Sequence, residues 1–211
     1  MADKKKILRQ ILRECRAEIP AHRAARLSAL VQRRLIETPG YARATAVVLY
    51  SAKDNEVATD LIFAHAIDSG RRVLFPRIVP QSHELSLVYV DHLGQLQAGA
   101  FGILEPTGAE ITRFTDLERA LICVPGVAFG RAGERLGRGG GYYDRLIAAA
   151  LAPQIVTAGL AYSFQVMDRL PESPLDRRLG LIVTESAVHQ AARNYPDACL
   201  RTDQGGIARC C

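Results

Sequence analysis

An α/β domain of three layers, with a mostly parallel sheet between helices, is the fold class this chain predicts. Short apolar runs at 45–50, 120–124, 155–161 and 181–184 have the length and continuity of strands buried on both faces. Helical patterns at 57–69 and 142–151 each follow one such run, as in β–α–β units whose crossovers are right-handed. Between the run at 120–124 and the helix at 142 lies a connection with seven glycines among the sixteen residues from Gly126 to Gly141. Its 211 residues, 48% of them hydrophobic, suffice for one core.

Taken in order, residues 4–19 predict a helix. Leu8, Ile11, Leu12, Cys15 and Ile19 share one arc of about 100°, and Lys5, Arg9, Arg13 and Arg16 a neighbouring arc of about 80°. The residues alone leave that basic arc open to two readings, a solvated face or an anion contact. A second helix runs over about 21–37, with Leu27, Leu30, Val31 and Leu35 inward, and stops at Pro39-Gly40. The strand at 45–50 leads through a polar loop, Ser51 to Glu56, into the helix at 57–69, which Gly70 closes. The next strand, 72–75, ends at Pro76-Arg77, and 85–90 alternates well enough for an antiparallel edge strand. Residues 101–106 read as a turn, because Pro106 pushes Glu105 out of helical geometry. Residues 171–176 form a proline-rich loop. Beyond residue 185 little pattern remains except a possible short helix, so the domain is expected over 1–196 and a mobile tail over 197–211.

Charge and cysteines narrow the function classes. Residues 1–43 hold eleven Lys/Arg against four Asp/Glu, and the rest sixteen against eighteen. The basic excess is local, which favours a local anionic partner over general coating of nucleic acid. No apolar run approaches the roughly 20 residues of a membrane span, and the basic N-terminus lacks the apolar core of a signal peptide. Five cysteines without a C-x-x-C suggest neither a disulfide framework nor a zinc site, and a reduced, cytoplasmic protein is expected. The five histidines are scattered, with no zinc-protease or Ser/His/Asp grouping.

The glycine connection carries the chemistry. Strand, glycine-rich loop and helix start, in that order, leave free N–H groups and a positive dipole end facing one anion. Arg131, Arg135 and Arg138 add fixed positive charge. A P-loop is excluded because the G-K-[ST] ending is missing. A dinucleotide fingerprint is excluded because Tyr142 stands where the last glycine belongs. What remains is a phosphate cradle of another kind or a flexible surface loop that is merely rich in glycine, and the three arginines and the Tyr-Tyr-Asp helix entry favour the cradle. Asp144, in the first turn of the following helix, reads either as a dipole-stabilised carboxylate or as a hard ligand for Mg²⁺. Glu56, just past the carboxyl end of a strand, reads either as a helix-start charge or as a ligand contact.

The segment Arg135-Leu-Gly-Arg-Gly-Gly-Gly-Tyr-Tyr-Asp144, preceded by Pro125-Gly-Val-Ala-Phe129, closely resembles the signature of the 5-formyltetrahydrofolate cyclo-ligase family, and the resemblance runs from about Lys5 to about Glu185. It implies a Rossmann-like version of the fold and an ATP-driven ring closure. The N5-formyl oxygen of the reduced folate attacks the γ-phosphoryl group, N10 closes on the activated carbon, and 5,10-methenyltetrahydrofolate, ADP and phosphate result. The family's opening Lys-x-x-Leu-Arg is matched by Lys5-Lys-Ile-Leu-Arg9, and its Gly-x-x-Glu-Pro by Gly102 to Pro106. The resemblance thus implies ATP contacts at Lys5, Lys6, Arg9, Arg135, Gly137, Arg138, Gly139, Gly140, Gly141, Tyr142 and Tyr143. It implies folate contacts at Arg9, Ser51, Glu56, Arg138, Gly139, Gly140, Gly141 and Tyr142, catalytic roles for Arg138 and Tyr142, and Mg²⁺ between Asp144 and Asp176. Two positions depart from the pattern, Gly130 and Gly180, where members usually carry Asp, and if Gly130 replaces a loop-fixing hydrogen bond the cradle is looser. The expected partners are ATP and a reduced folate, with the chain a monomer and no nucleic acid or membrane. Two other classes stay open: a nucleotide-binding regulatory domain that kept the cradle and lost the chemistry, and a basic RNA-binding protein, although no RNP-type aromatic stripe is present.

Overall fold

The computed structural model describes residues 2–109, 111–150, 152 and 154–191, so the expected tail at 197–211 lies outside the described residues. Along the chain come helices α1 (Ala2–Ala17), α2 (Ala21–Ile36) and α3 (Pro39–Ala42), strand β1 (Ala46–Val48), helix α4 (Asp60–Asp68), and strands β2 (Arg72–Ile78) and β3 (Leu85–Tyr89). The hairpin β4 (Leu96–Ala98) and β5 (Leu104–Pro106) follows, then β6 (Ile111–Thr112), β7 (Ala120–Val124), β8 (Ala128–Gly130) and β9 (Arg135–Leu136). Helix α5 (Tyr142–Ala149), β10 (Ile155–Leu160), β11 (Val166–Met167), β12 (Leu181–Val183) and β13 (Val188–Gln190) complete the described chain.

Eight strands form the central sheet in the order β13-β12-β10-β7-β1-β2-β3-β6. The five from β12 to β2 run parallel, and β13, β3 and β6 are antiparallel additions at the two margins. Successive residues of the parallel strands feed opposite cores. Val47, Leu49, Val73 and Leu121 pack with Val31, Leu35, Ile62 and Phe63 of α2 and α4. Ala46, Val48, Leu74 and Ile122 pack with Leu146, Ile147 and Ala150 on and beside α5. Burial on both faces is why these strands read as unbroken apolar runs, each fully buried Val or Leu being worth about 1.5–3 kcal/mol. A single-domain, three-layer α/β fold with a mostly parallel sheet is therefore present.

Local signals set several boundaries. Thr38 caps α3 by accepting from the Tyr41 N–H at 3.2 Å, with Pro39 following in the first helical position. β2 does not end at Pro76 but runs to Ile78. Past Leu74 it has only β3 as a partner, so the missing proline N–H removes no rung of the ladder. β3 is not the edge of the sheet, since β6 pairs outside it. The segment expected to be a bare turn at 101–106 contains β5, paired with β4. Past residue 185 a strand, β13, forms at Val188–Gln190, and the rest of the stretch in which a short helix was possible lies outside the described residues.

α1 stands apart from the main sheet. Leu12 and Leu8 pack on Val127, Ala128, Leu136 and Leu170, around a small sheet made by β11, β8 and β9. Its inward face is not the apolar arc: Ile11 is 50% exposed and Cys15 exposed, whereas Arg16 is only 2% exposed. The helix is turned so that the seam between the apolar and basic arcs meets the protein. The β8–β9 turn docks against the segment before β12. The Leu179 N–H donates to the Gly133 carbonyl at 2.8 Å, and a Cβ at Gly133 (φ 92°) would lie 2.3 Å from the Leu179 carbonyl oxygen. Gly133→Ala is therefore expected to cost about 2–4 kcal/mol through left-handed strain and backbone overlap, read as a lower urea midpoint; an unchanged midpoint contradicts this packing.

Candidate active site

β1 continues into α4 and β2 on one side, while β7 continues into α5 and β10 on the other. The two strands are paired neighbours, so their outgoing loops part and leave a crevice at the carboxyl end of the sheet. A cavity of about 720 Å³ occupies that place. Its walls are the β1 loop (Tyr50, Ser51, Lys53, Glu56), the glycine loop with the start of α5 (Pro125, Gly126, 135–145), Lys5 and Arg9 of α1, the β4–β5 hairpin (Phe101, Ile103, Leu104, Glu105), and Ser173 to Arg177.

The glycine loop is shaped by close approach. Gly139 (φ 110°) and Gly141 (φ 69°) hold left-handed backbone, and Gly141 precedes α5 without any side chain capping the first turn. The N-terminal N–H groups of α5 thus open beside the cavity, a suitable environment for an anion. Gly137 is close to Arg135, where a Cβ would lie 2.4 Å from Nη1. Arg9 secures the loop from outside, its Nε donating to the Gly137 carbonyl at 2.8 Å.

Three carboxylates of the cavity, Asp176, Asp144 and Glu56, each have a cation. Asp176 accepts from Lys5 Nζ at 2.5 Å and from the Ser173 N–H at 2.7 Å. Burial raises its carboxyl, but the Lys5 and Ser173 hydrogen bonds outweigh that, so the net shift is downward. Asp144 accepts from Arg135 Nη2 at 2.9 Å and, more weakly, from the Arg177 N–H at 3.4 Å. Arg135 itself is buried, donating also to the Pro125 carbonyl at 3.3 Å and lying 5.8 Å from the centroid of the Tyr143 ring. Burial pushes the Tyr143 phenol well above the ordinary range, so it stays a neutral hydroxyl. Arg138 reaches across the cavity to Glu56 at 2.9 Å and Asp54 at 3.0 Å. Asp54 and Asn55 both hold positive φ, which turns the loop so that the Glu56 carboxylate points back to accept the Lys53 N–H. Tyr142 lies between Arg145, 5.8 Å from its ring centroid, and the His83 ring at 5.7 Å.

All but one of the site residues expected from the sequence line this cavity; the exception, Lys6, is exposed and lies outside it. Ser51 is engaged, donating to the Leu104 carbonyl at 2.6 Å and tying the β4–β5 hairpin to the β1 loop. Arg131 is remote from the cavity, 62% exposed in an ion pair with Asp168. Sequence reasoning missed Phe101, Leu104 and Leu175, which are 70%, 48% and 79% exposed and give the crevice an apolar rim. Phe101 holds φ 56° and its carbonyl accepts from Lys53 Nζ. A large apolar residue among turn residues was the available signal. At Gly130, one of the two departures, a neighbouring side chain takes the room that a larger residue would need. The buried Glu134 carboxylate fills the space, with Oε2 2.2 Å from where a Cβ at 130 would sit. Gly180, the other departure, donates its N–H to Thr157 Oγ1 at 3.0 Å.

The chain's residues 1–185 match the model of the 5-formyltetrahydrofolate cyclo-ligase family. A probable 5-formyltetrahydrofolate cyclo-ligase of Schizosaccharomyces pombe is 30% identical over 202 residues, covering 89% of this chain and 98% of its own. The solved 5,10-methenyltetrahydrofolate synthetase of Aquifex aeolicus superimposes with a TM-score of 0.77 at 32% identity, covering 94% of this chain and 99% of that one. The corresponding Mycoplasma pneumoniae structure, at 24% identity and a TM-score of 0.68 over 86% of this chain and 98% of that one, shares the fold.

The contrast between two arginines tests the electrostatics. Arg135→Met strands a partly buried Asp144 and is expected to cost about 3 kcal/mol of stability, whereas Arg131→Ala, at an exposed pair, is expected to cost less than about 0.5 kcal/mol. Equal shifts in urea unfolding would contradict the burial of the Arg135–Asp144 pair.

Proposed function

This chain belongs to the 5-formyltetrahydrofolate cyclo-ligase family and is a ligase, and from that premise we propose that it converts 5-formyltetrahydrofolate to 5,10-methenyltetrahydrofolate with ATP and Mg²⁺ in the cavity between β1 and β7. The observation that carries the reading is the facing of two kinds of recognition across one crevice: a glycine loop at a helix start, and a held carboxylate, Glu56, with an apolar rim beside it.

The nucleotide phosphates lie on the N–H groups of Gly137, Gly139, Gly140 and Gly141 and the start of α5. Lys5, Arg9, Arg138, Tyr142 and Tyr143 border them, and Arg135 acts on them through Asp144. The folate lies toward Ser51 and Glu56, its flat rings against Phe101 and Leu104. Asp144 and Asp176 would hold the metal. Among the described residues no group of three or more His, Cys, Asp or Glu gathers as a metal site, and two carboxylates suit Mg²⁺, which takes its remaining oxygens from phosphate and water. The pair is close enough for the residue after Asp176 to donate to Asp144. When bound, Mg²⁺ neutralises charge on the phosphate oxygens.

In the reaction a bond forms between the formyl oxygen and the γ-phosphorus as the bond to the ADP oxygen breaks. The N10 lone pair then closes on the formyl carbon, its proton is lost, and the carbon–oxygen bond breaks with phosphate as the leaving group. The protein's task is to hold the γ-phosphorus in line and to spread its charge. Arg138 serves both ends of that task. It rests on Glu56 and Asp54, and on nucleotide binding it exchanges those carboxylates for phosphate oxygens, leaving Glu56 to the folate. Tyr142 borders the reacting groups as a flat face and hydroxyl donor. We take a monomer as the working unit. Among the described residues no helix is long and apolar enough to cross a membrane. We place the reaction in the cytoplasm, a reading supported by the unpaired Cys15 and Cys123.

The test is the near-ultraviolet absorbance of the methenyl product, which is expected to rise only when 5-formyltetrahydrofolate, ATP and Mg²⁺ are all present. A flat trace with intact ATP binding would favour the regulatory-domain reading. Asp144→Asn is expected to abolish the metal-dependent rise while the protein stays folded, and undiminished turnover would refute that metal ligand. Arg138→Ala is expected to lower kcat/KM by about 10²-fold or more, the scale of losing a charged donor to the transition state, and Arg131→Ala to leave it within about twofold. Equal losses would contradict the loop geometry.

A further inference from the structure

Arg16 ends α1 outside the cavity wall, yet it is among the most buried side chains of the molecule, 2% exposed. Its Nη1 donates to the Gly126 carbonyl at 3.3 Å and stands 3.7 Å from Glu56 Oε1, within ion-pair range. Its Nε is buried without any partner. Glu56, with a side chain 7% exposed, therefore sits between two cations that meet at the same oxygen: Arg138 from the cavity side and Arg16 from behind. A second link joins the same two segments, because the Asn55 side-chain amide donates to the Arg16 and Ile19 carbonyls at 3.2 and 3.1 Å. Burial pulls the Arg16 guanidinium down while the Glu56 charge pulls it back up. Enclosing a guanidinium that satisfies so few of its donors is unfavourable unless a charge partner offsets the loss of water.

We propose that Arg16 is the positioning residue for Glu56. It is the resident counter-charge that holds this carboxylate aimed into the cavity when Arg138 leaves it for the nucleotide. The proposal rests on the reading of Glu56 as a folate ligand. The two arginines differ in freedom: the Arg138 side chain is 35% exposed and faces the cavity, whereas Arg16 is enclosed and anchored to the start of the glycine segment. Without Arg16, departure of Arg138 would leave a lone, nearly buried carboxylate, which would turn away from the cavity and from an N–H donor on the folate.

The experiment is a double-mutant cycle read by calorimetric binding. The variants are Arg16→Met, Glu56→Gln and the double variant; the ligands are 5-formyltetrahydrofolate, titrated with a non-hydrolysable ATP analogue and Mg²⁺ present, and the analogue alone. Each single variant is expected to weaken folate binding about tenfold or more, corresponding to about 1.4 kcal/mol. Because Arg16 acts through Glu56, the double variant is expected to match Glu56→Gln within about twofold, and Arg16→Met to lower the affinity for the analogue by less than it lowers that for the folate. Multiplying losses, or an equal loss of analogue affinity, would overturn the proposal and make Arg16 an anchor of α1 alone. Unchanged folate binding by Glu56→Gln would instead overturn the reading of Glu56, and this inference with it. Should Arg16→Met not fold, Arg16→Lys takes its place in the cycle, with an expected folate loss of about threefold that disappears in the Glu56→Gln background; wild-type folate affinity would overturn the proposal.

Discussion

Everything in this molecule's site depends on two neighbouring parallel strands whose continuations leave in opposite directions. β1 and β7 pair residue for residue from Ala46–Ala120 to Val48–Ile122, and the chain then goes from one to α4 and from the other to α5. Their carboxyl ends cannot be covered by either connection, so the loops after them form the two walls of a crevice. The apolar runs that hold these strands in the centre of the sheet therefore have a consequence at its end. A core built of Val47, Val48, Leu121 and Ile122, each fully buried, fixes where Glu56 and the glycine loop face one another.

Around that crevice the chain brings carboxylates and cations together in pairs: Lys5 with Asp176, Arg135 with Asp144, and Arg138 and Arg16 with Glu56. Such pairs contribute little to stability on balance, because taking the charges out of water offsets much of their attraction. Their value here is that each partner is held in place and can be exchanged. A triphosphate with a bound cation offers a substitute for both halves of these pairs, negative oxygens for Lys5 and Arg138 and positive charge for Asp144 and Asp176. The resting site is thus neutralised by its own residues and can be re-paired by its ligands at small electrostatic cost. The pairs farther from the cavity keep the frame still: Arg178 binds Glu172 bidentately, at 2.8 and 2.6 Å, on the same loop as Asp176.

How much of this was legible follows from how local each cause was. The runs at 120–124, 155–160 and 181–183, and the helix starting at Tyr142, were visible because burial on two faces writes itself into consecutive residues. β13, β6 and the β4–β5 hairpin were not, since two- or three-residue strands at a margin owe their pairing to distant neighbours. The orientation of α1 was not legible for a related reason. Periodicity finds the most apolar arc, but this helix packs across a small sheet beside a charged cavity, so Arg16 is buried and Ile11 half exposed. Lys5 and Arg9 were reached by family likeness, and the geometry then distinguished them from Lys6, their exposed neighbour. Glu134 behind Gly130 lay beyond any sequence pattern, because the relation is a collision between a missing side chain and one four residues on.

The central claim is that nucleotide and folate share one cavity at the switch between β1 and β7. Hydrogen exchange of backbone amides, with and without a non-hydrolysable ATP analogue and 5-formyltetrahydrofolate, tests it most directly. The account predicts that the analogue slows exchange over 137–145, that the folate slows it over 51–58 and 99–106, and that the edge strand 188–190 is unaffected. Protection confined to the N-terminal helix, or centred on the opposite end of the sheet near Arg34 and Arg43, would contradict it.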